Sequence, residues 1–269
     1  MMYKNLEKAI ECIESGSTLA IGGFDLHRTP HAAIEEIIRQ KKKNLTIVQV
    51  TCGISIDFLV AMGNVKKLIT SYCGCEKYAP TSEIVREAYR KGLIKIENYS
   101  LLSMVLRYLA GSLGISFIPT RLLEHTSMVK ENKLKHIICP YSKKSFLALP
   151  SLNPDLALIA VEYVDKKGNG VSSSYPFVDI DLLIARSSKQ VILLAEKIIS
   201  TEKLRVLSRK GYFFPNRNVC AFIVLRNFCK PNSHYPHYDI DKKMLMELTY
   251  YSHSISKFRK RVREKVWEG

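Results

Sequence analysis

Two adjacent glycines, in Gly22-Gly23-Phe24, follow the apolar run Thr18-Leu19-Ala20-Ile21 and are closed by Arg28 and Pro30. The loss of two Cβ atoms lets backbone N–H groups approach a ligand or another chain closely. A buried strand that ends in glycines and leads into a helix puts them at the carboxyl edge of a sheet, where open α/β sheets bind ligands. Ser71, Tyr72 and Gly74 follow a second strand-like run, and Ser71 offers a hydroxyl donor to an acyl group. Glu76 and Glu97 are the carboxylates nearest these positions by sequence, and either could act as a general base. Arg28 carries a planar fork suited to a carboxylate of a substrate or of a partner chain.

Each of these residues also has a plain structural reading. The glycines can make a tight turn with Phe24 packed in the core. Ser71 can cap a turn, and Arg28 and Glu76 can sit in ion pairs. No Gly-x-Gly-x-x-Gly follows the first strand and no Gly-Lys-Ser/Thr occurs there, so neither a Rossmann fingerprint nor a phosphate loop is supported. Cys73-x-Cys75 is the only close cysteine pair, with no second pair or His-x-x-x-His to complete a zinc site. The seven histidines show no Ser-His-Asp spacing.

The elements that must position these residues are legible as alternating patterns. Strand-like runs cover 18–23, 45–51, 67–72, 94–99, 156–164, 190–195 and 219–225. Helical patterns cover 30–40, 55–62, 83–91, 103–111 and 179–188. Strands at this spacing with helices between them predict an open, mostly parallel sheet covered by helices on both faces. The continuous apolar run Leu156-Ala157-Leu158-Ile159-Ala160-Val161 suits a strand buried on both sides. Residues 117–151, with Pro119, Pro140 and Pro150, read as an excursion from the sheet. Residues 241–267 read as a helical extension, basic near its end as the helix dipole favours. The whole of 1–269 is expected to form a single domain with that extension.

At 269 residues and 46% hydrophobic content the chain can bury a sizeable core. The seven scattered cysteines, several in apolar runs, predict buried reduced thiols and a reducing cytoplasm. The amino-terminal charges spaced around Leu6, Ile10 and Ile13 predict an amphipathic helix in place of a signal peptide. No apolar run approaches the roughly 20 residues of a membrane span. The net charge of +16 permits a polyanionic substrate, an acidic partner or nucleic acid. The basic residues are dispersed over turn-like positions, which reads as solvated loops. No helix-turn-helix or RNA-binding signature supports a nucleic-acid partner.

Taken in order, several motifs resemble one family. They begin with Gly22-Gly23-Phe24, Arg28-x-Pro30-x-Ala32 and Ser71-Tyr72-x-Gly74-x-Glu76. Leu106-Arg107-Tyr108-Leu109-Ala110-Gly111 and Phe117-Ile118-Pro119-Thr120-Arg121 follow. Asp165-x-x-Gly168-Asn169, then Glu196-Lys197-Ile198-Ile199-Ser200-Thr201-Glu202, and His234-x-Pro236-x-Tyr238-Asp239-x-Asp241 complete the set. Together they resemble the α subunit of family I coenzyme A transferases, with the glutaconate CoA-transferase branch most similar, over about residues 5–245. The resemblance implies an open α/β fold of the CoA-transferase and ribose-5-phosphate isomerase type, and a separate β subunit of the same fold.

The implied reaction moves CoA between carboxylic acids, with coenzyme A as a substrate and no permanently bound cofactor or metal. A glutamate carboxylate attacks the thioester, and an acyl-glutamyl anhydride and then an enzyme–CoA thioester form. In two-subunit members that glutamate belongs to the β chain, which leaves Gly22, Gly23, Phe24, Arg28, Ser71, Tyr72 and Gly74 as this chain's share of an interface pocket and Glu76 as its candidate carboxylate. The resulting expectation is a cytoplasmic hetero-oligomer acting on an acyl-CoA and a short carboxylic or dicarboxylic acid. An acyl-CoA hydrolase or ring-cleaving enzyme on the same scaffold is the alternative. Hydrolase relatives carry a glutamate shortly after the position of Glu97, whereas here Tyr99-Ser100-Leu101-Leu102-Ser103 has none. Glu124-His125-Thr126 also departs from the family pattern and bears on specificity. A non-catalytic anion-binding or nucleic-acid-binding module is the third possibility.

Overall fold

A computed structural model describes residues 2, 3, 5–173, 175 and 177–268. The first half runs β1 (Met2–Tyr3), α1 (Leu6–Ile10), β2 (Thr18–Ile21), α2 (His31–Arg39), β3 (Leu45–Val48), β4 (Thr51–Cys52) and α3 (Ile54–Ala61), then β5 (Val65–Thr70), β6 (Tyr72–Cys73), α4 (Glu83–Arg90), β7 (Lys95–Asn98) and α5 (Leu101–Ser112). An excursion follows with β8 (Phe117–Thr120), α6 (Met128–Glu131), β9 (Lys135–Ile138) and β10 (Ser145–Pro150). The second half has β11 (Leu156–Val164), β12 (Gly170–Ser173), α7 (Val178–Ser187), β13 (Gln190–Ile198), α8 (Thr201–Ser208), β14 (Gly211–Phe214) and β15 (Val219–Val224). Helices α9 (Lys242–Tyr251) and α10 (Ile255–Arg263) and a wide final turn, Glu264–Glu268, close the chain.

Eight strands pair in the order β1-β15-β13-β11-β2-β3-β5-β7, each parallel to its neighbours. The chain winds outward from β2 to β7 and then outward again from β11 to β15. Strands β2 and β11 therefore meet at the sheet centre, where the winding reverses. Crevices at the carboxyl ends of such a pair are the ligand-binding places of open α/β sheets, and Gly22-Gly23 stands there.

Residue alternation supplies both faces of the sheet. Leu19, Ile21, Leu156 and Leu158 point into a core built with α1 to α4, α9 and α10. Ala20, Ala157, Ile159 and Val161 point into the opposite core, closed by α5, α7 and the excursion. Each fully buried Leu or Ile contributes about 1.5–3 kcal/mol, so the period of two fixes the register of β11 on both sides.

The expected open parallel sheet flanked by helices is what forms. The excursion is an antiparallel sheet, β8-β10-β9, with a short helix. The terminal helix breaks at Ser252-His253-Ser254 instead of running through. Two further strands, β12 and β14, extend β11 as antiparallel neighbours. Asn169 holds that turn: its N–H and Nδ2 donate to the Asp165 carboxylate at 2.9 and 3.0 Å, and its Oδ1 accepts from Asn216 N–H at 3.1 Å.

Helix α5 approaches the chain before β11 so closely that a Cβ on Gly111 would lie 2.0 Å from the Leu152 carbonyl oxygen and 2.9 Å from Ser187 Cβ. Gly111→Ala is expected to lower stability by about 1–3 kcal/mol through overpacking, against the roughly 1 kcal/mol of helix propensity that alanine offers. Urea unfolding checks this, and an unchanged or higher midpoint would refute it.

Candidate active site at the carboxyl edge of the sheet

The loop after β2 is bound into the protein on three sides. Phe24 and His27 exchange backbone hydrogen bonds of 2.8 and 2.9 Å across a tight turn in which Asp25 has a φ of 52°. Asp25 N–H donates to the Thr51 hydroxyl at 2.9 Å, joining the loop to β4. Arg28 N–H donates to the Ser233 carbonyl at 2.7 Å and Ser233 N–H to the Leu26 carbonyl at 2.9 Å, joining it to the segment after β15. The motif His234-x-Pro236-x-Tyr238 thus sits directly behind the glycine loop. A buried pair steadies that segment, with His234 Nδ1 3.2 Å from Glu196 Oε1 and Asn227 N–H 3.2 Å from Glu196 Oε2. Burial raises the Glu196 carboxyl, yet hydrogen bonds from His234 and Tyr238 hold it below its ordinary value.

At the centre of the loop lies one carboxylate that the sequence did not single out. Asp181, on the first turns of α7, accepts Gly23 N–H at 2.8 Å on Oδ1. Its Oδ2 lies 3.3 Å from Arg28 Nε and 3.2 Å from Arg28 Nη2. The Arg28 and Asp181 side chains are only 2% and 1% exposed. Burial pushes the Asp181 carboxyl up, while the Arg28 charge and the Gly23 amide draw it back. Arg28 itself has a φ of 57°, a left-handed backbone that its neighbours impose.

The amides of both glycines are engaged within the chain. Gly22 N–H donates to the Leu158 carbonyl at 2.9 Å and Gly23 N–H to Asp181, so both amides have acceptors within the chain. Both residues are buried. A Cβ on Gly22 would meet Asp181 Oδ1 and Ile159 Cδ1 at 3.0 Å. One on Gly23, whose φ is 85°, would lie 2.5 Å from the Thr29 nitrogen. The missing side chains make room for Asp181 and for the returning Arg28-Thr29 backbone.

An aromatic rim covers this pair. The Phe24 ring stacks on Phe177 with centroids 3.9 Å apart, and Tyr175 stacks on Tyr235 at 4.9 Å. The Arg28 guanidinium lies 5.7 Å from the Tyr175 ring. Phe177 and Tyr235 are 39% and 56% exposed, so the rim faces outward. Of these aromatics only Phe24 was legible as a candidate; Tyr175, Phe177 and Tyr235 are brought in from sequence positions some 150–210 residues away.

Glu76 belongs to the same edge. Its Oε1 lies 3.3 Å from His27 Nε2, while His27 Nδ1 lies 2.7 Å from the Ser233 hydroxyl. Asp25, only 5% exposed, has one carboxylate oxygen without a hydrogen-bond partner. Burial and the neighbouring Glu76 charge raise Asp25 to about 7, against a backbone hydrogen bond from Glu76. Ser71 donates both its hydroxyl and its amide to the Val50 carbonyl, at 2.5 and 2.9 Å. Tyr72 folds over Gly74 and donates to the Pro80 carbonyl at 2.8 Å. Glu97, in contrast, pairs with Lys67 across β5 and β7. Glu124 pairs with Arg121, and with His125 it lines a separate cavity in the excursion.

Residues 3–208 match the coenzyme A transferase family. This chain belongs to that family. It is 31% identical over 199 residues to the α subunit of 3-oxoadipate CoA-transferase from Pseudomonas knackmussii, covering 72% of this chain and 69% of that one. The α subunit of glutaconate CoA-transferase from Acidaminococcus fermentans is 28% identical over 250 residues, 87% of this chain and 77% of that one. The crystal structure of the glutaconate enzyme superposes with a TM-score of 0.93, covering 100% of this chain and 90% of that chain at 26% identity. An Archaeoglobus fulgidus protein is 34% identical over 194 residues, 72% of this chain, and this chain spans only 43% of its length. The expected CoA-transferase subunit of the α type, with its α/β fold, is borne out by these matches. Among the described residues no helix is long and apolar enough to cross a membrane.

The buried charges generate two expected outcomes. Asp181→Asn removes the carboxylate charge beside a buried guanidinium, and is expected to cost about 3–5 kcal/mol. The double variant Arg28→Met/Asp181→Leu should recover part of that loss; urea midpoints of the three proteins decide it. Asp25 and the Asp57 carboxyl of α3 both ionise near 7 when folded, against 3.8 ordinarily; burial raises Asp57 despite a hydrogen bond from Ser82. A raised carboxyl keeps its proton in the folded chain after the unfolded chain has lost it, so stability falls as pH rises from about 4 to about 7 and is then level. Carboxylates held low, such as Glu35 at about 2, act with the opposite sign and at lower pH. Asp57→Asn should therefore flatten the decline between pH 4 and 7 in urea unfolding, and an unaltered slope would refute the assignment.

Proposed function

We propose that this chain is the α subunit of a hetero-oligomeric CoA-transferase, and that the loop after β2 forms one wall of a crevice completed by a β subunit. The observation that carries the reading is the outward aromatic rim of Phe24, Phe177, Tyr175 and Tyr235, seated on the locked Arg28–Asp181 pair where the sheet winding reverses. Exposed aromatics clustered at the ligand edge of a sheet mark a contact surface. A thioester and a carboxylate nucleophile need such a surface, because water must be kept from a weak nucleophile before it attacks.

In this mechanism the partner's glutamate carboxylate attacks the acyl-CoA carbonyl and releases the CoA thiolate. The thiolate attacks the resulting anhydride, the acid leaves, and a glutamyl–CoA thioester remains. The incoming acid then runs the sequence in reverse. Two relatives are named for glutaconate and 3-oxoadipate, which favours a dicarboxylic acid as one substrate. The Gly22 and Gly23 amides already have acceptors, so donors to the oxyanion come from elsewhere in the assembled crevice. The role left to this chain is shape: a rigid, dry wall that holds the acyl group near its attacker. The charge of +16 helps draw in the CoA phosphates. Coenzyme A is a substrate here and no resident cofactor is needed. Buried Cys52, Cys75 and Cys229 suit a reducing cytoplasm.

The test is to produce the chain with its β partner, incubate with acyl-CoA, and reduce the enzyme–CoA thioester with borohydride. Mass analysis should find the modified glutamate on the partner. Modification of Glu76 would overturn the assignment, as would release of free CoA at the full rate without an acceptor acid. Glu76→Gln should lower kcat of the complex by less than the roughly 10²-fold that a general acid or base is worth.

A further inference from the structure

At the opposite, amino edge of the sheet, the C-terminal helices enclose a second feature with chemistry of its own. A cavity of about 500 Å³ lies between the turn after α2, the turn after α3 and the end of the chain. Its lining includes Lys41, Lys43 and Arg263, and among the described residues it includes no carboxylate. Lys43 Nζ lies on the carbonyls just past the end of α3, 2.9 Å from Met62 O and 3.3 Å from Gly63 O. Burial and the like charge of Arg259 both press the Lys43 ammonium downward in pKa. Lys41 and Arg263 enter no ion pair among the described residues. Three cations gathered with no carboxylate among the described lining residues raise the local potential and favour an anion.

One neighbour narrows the anion's chemistry. Trp267, the single tryptophan of the chain, lines the cavity with 46% of its surface exposed. An indole face beside cations is a platform for a planar ring. Asn64 is 1% exposed and lines the same space; its Nδ2 donates to the Lys42 carbonyl at 2.6 Å, while its buried Oδ1 has no partner. That oxygen is closed to solvent, so Asn64 shapes the wall of the cavity and does not offer its Oδ1 to a ligand. Ile38 and Met62 supply apolar contact.

The platform is fixed in place. Val266 is buried in the core, and its carbonyl accepts from Arg39 Nη2 at 3.1 Å. Lys265 pairs with Glu35 at 3.4 Å, Arg259 Nε donates to the Ala61 carbonyl at 2.6 Å, and Phe258 packs edge-on against Phe58. The terminal turn is thereby strapped onto α2 and α3, and Trp267 is presented by a framework that need not rearrange to bind.

We propose that this cavity is a binding site for a small nucleotide: phosphates on Lys41, Lys43 and Arg263, and the base against Trp267. The volume is within the range of small-molecule sites. The site lies on the edge of the sheet away from the aromatic rim, so it stands apart from the crevice and is tested separately.

Trp267 is its own reporter. Titrating the full-length chain with ADP should give saturable quenching of indole fluorescence, with adenosine and pyrophosphate each binding at least about tenfold more weakly, since each satisfies only part of the site. Lys41→Ala and Arg263→Ala should each weaken ADP by roughly tenfold, the order expected for a charged hydrogen bond, and Arg263→Lys should restore most of that loss. Trp267→Ala, followed by calorimetry, should lose about tenfold or more from stacking. Glu76→Gln, at the other edge, should titrate as the unaltered chain does. No saturable quenching at millimolar ADP, equal binding of adenosine and ADP, or unchanged affinity in folded Lys41→Ala and Arg263→Ala proteins would each overturn the proposal.

Discussion

The Arg28–Asp181 pair is the constraint on which the carboxyl edge rests. Both charges are almost wholly removed from water. Two such ions repay their desolvation only when geometry is good and the remaining lone pairs are used. Here Asp181 uses both oxygens, one on the Gly23 amide and one on the guanidinium. That arrangement couples α7 to the loop after β2. It also sets where Phe24 and Phe177 stack, because each aromatic stands next to a residue that the pair immobilises.

The glycines and the ion pair explain one another. Without a Cβ at Gly22, the Asp181 carboxylate can approach the chain at the end of β2; without one at Gly23, the chain can turn back as Arg28 and Thr29. Arg28 then takes a left-handed backbone so that its side chain reaches inward. The segment Ser233-His234 closes the other side through backbone hydrogen bonds, with Glu196 behind it. Motifs that lie some 200 residues apart in the chain are thus one construction.

The sheet was legible because its causes are local. Apolar runs such as Leu156–Val164 and the helical periods between them reflect burial on two faces, and each occurs where its pattern lies. The strands β12 and β14 were not legible. They are short antiparallel additions, stabilised by pairing partners distant in the chain and by Asn169, without an apolar alternation of their own. The break between α9 and α10 at Ser252-His253-Ser254 interrupts an amphipathic pattern that otherwise continues. At the site, Gly22, Gly23, Phe24 and Arg28 stood out through spacing, and Glu76 through nearness in sequence. Asp181 was hidden in an ordinary helix pattern, since nothing in Val178–Ser187 signals that one of its two aspartates faces a loop formed 150 residues earlier. What packs against the glycines was hidden for the same reason. A sequence shows that a Cβ is missing, while only the packed neighbours show what fills the space.

The two margins of the main sheet differ sharply from its centre. One ends in β1, which is two residues long, and the other in β7, four residues long, with Lys95 outward and Glu97 tied to Lys67. Short or charged border strands resist lateral stacking into larger sheets. A newly made chain is thereby shielded from self-association and fibril growth along these borders. Any lasting assembly is directed to loops and helix faces, where side chains, and not bare ladders of peptide groups, choose the partner.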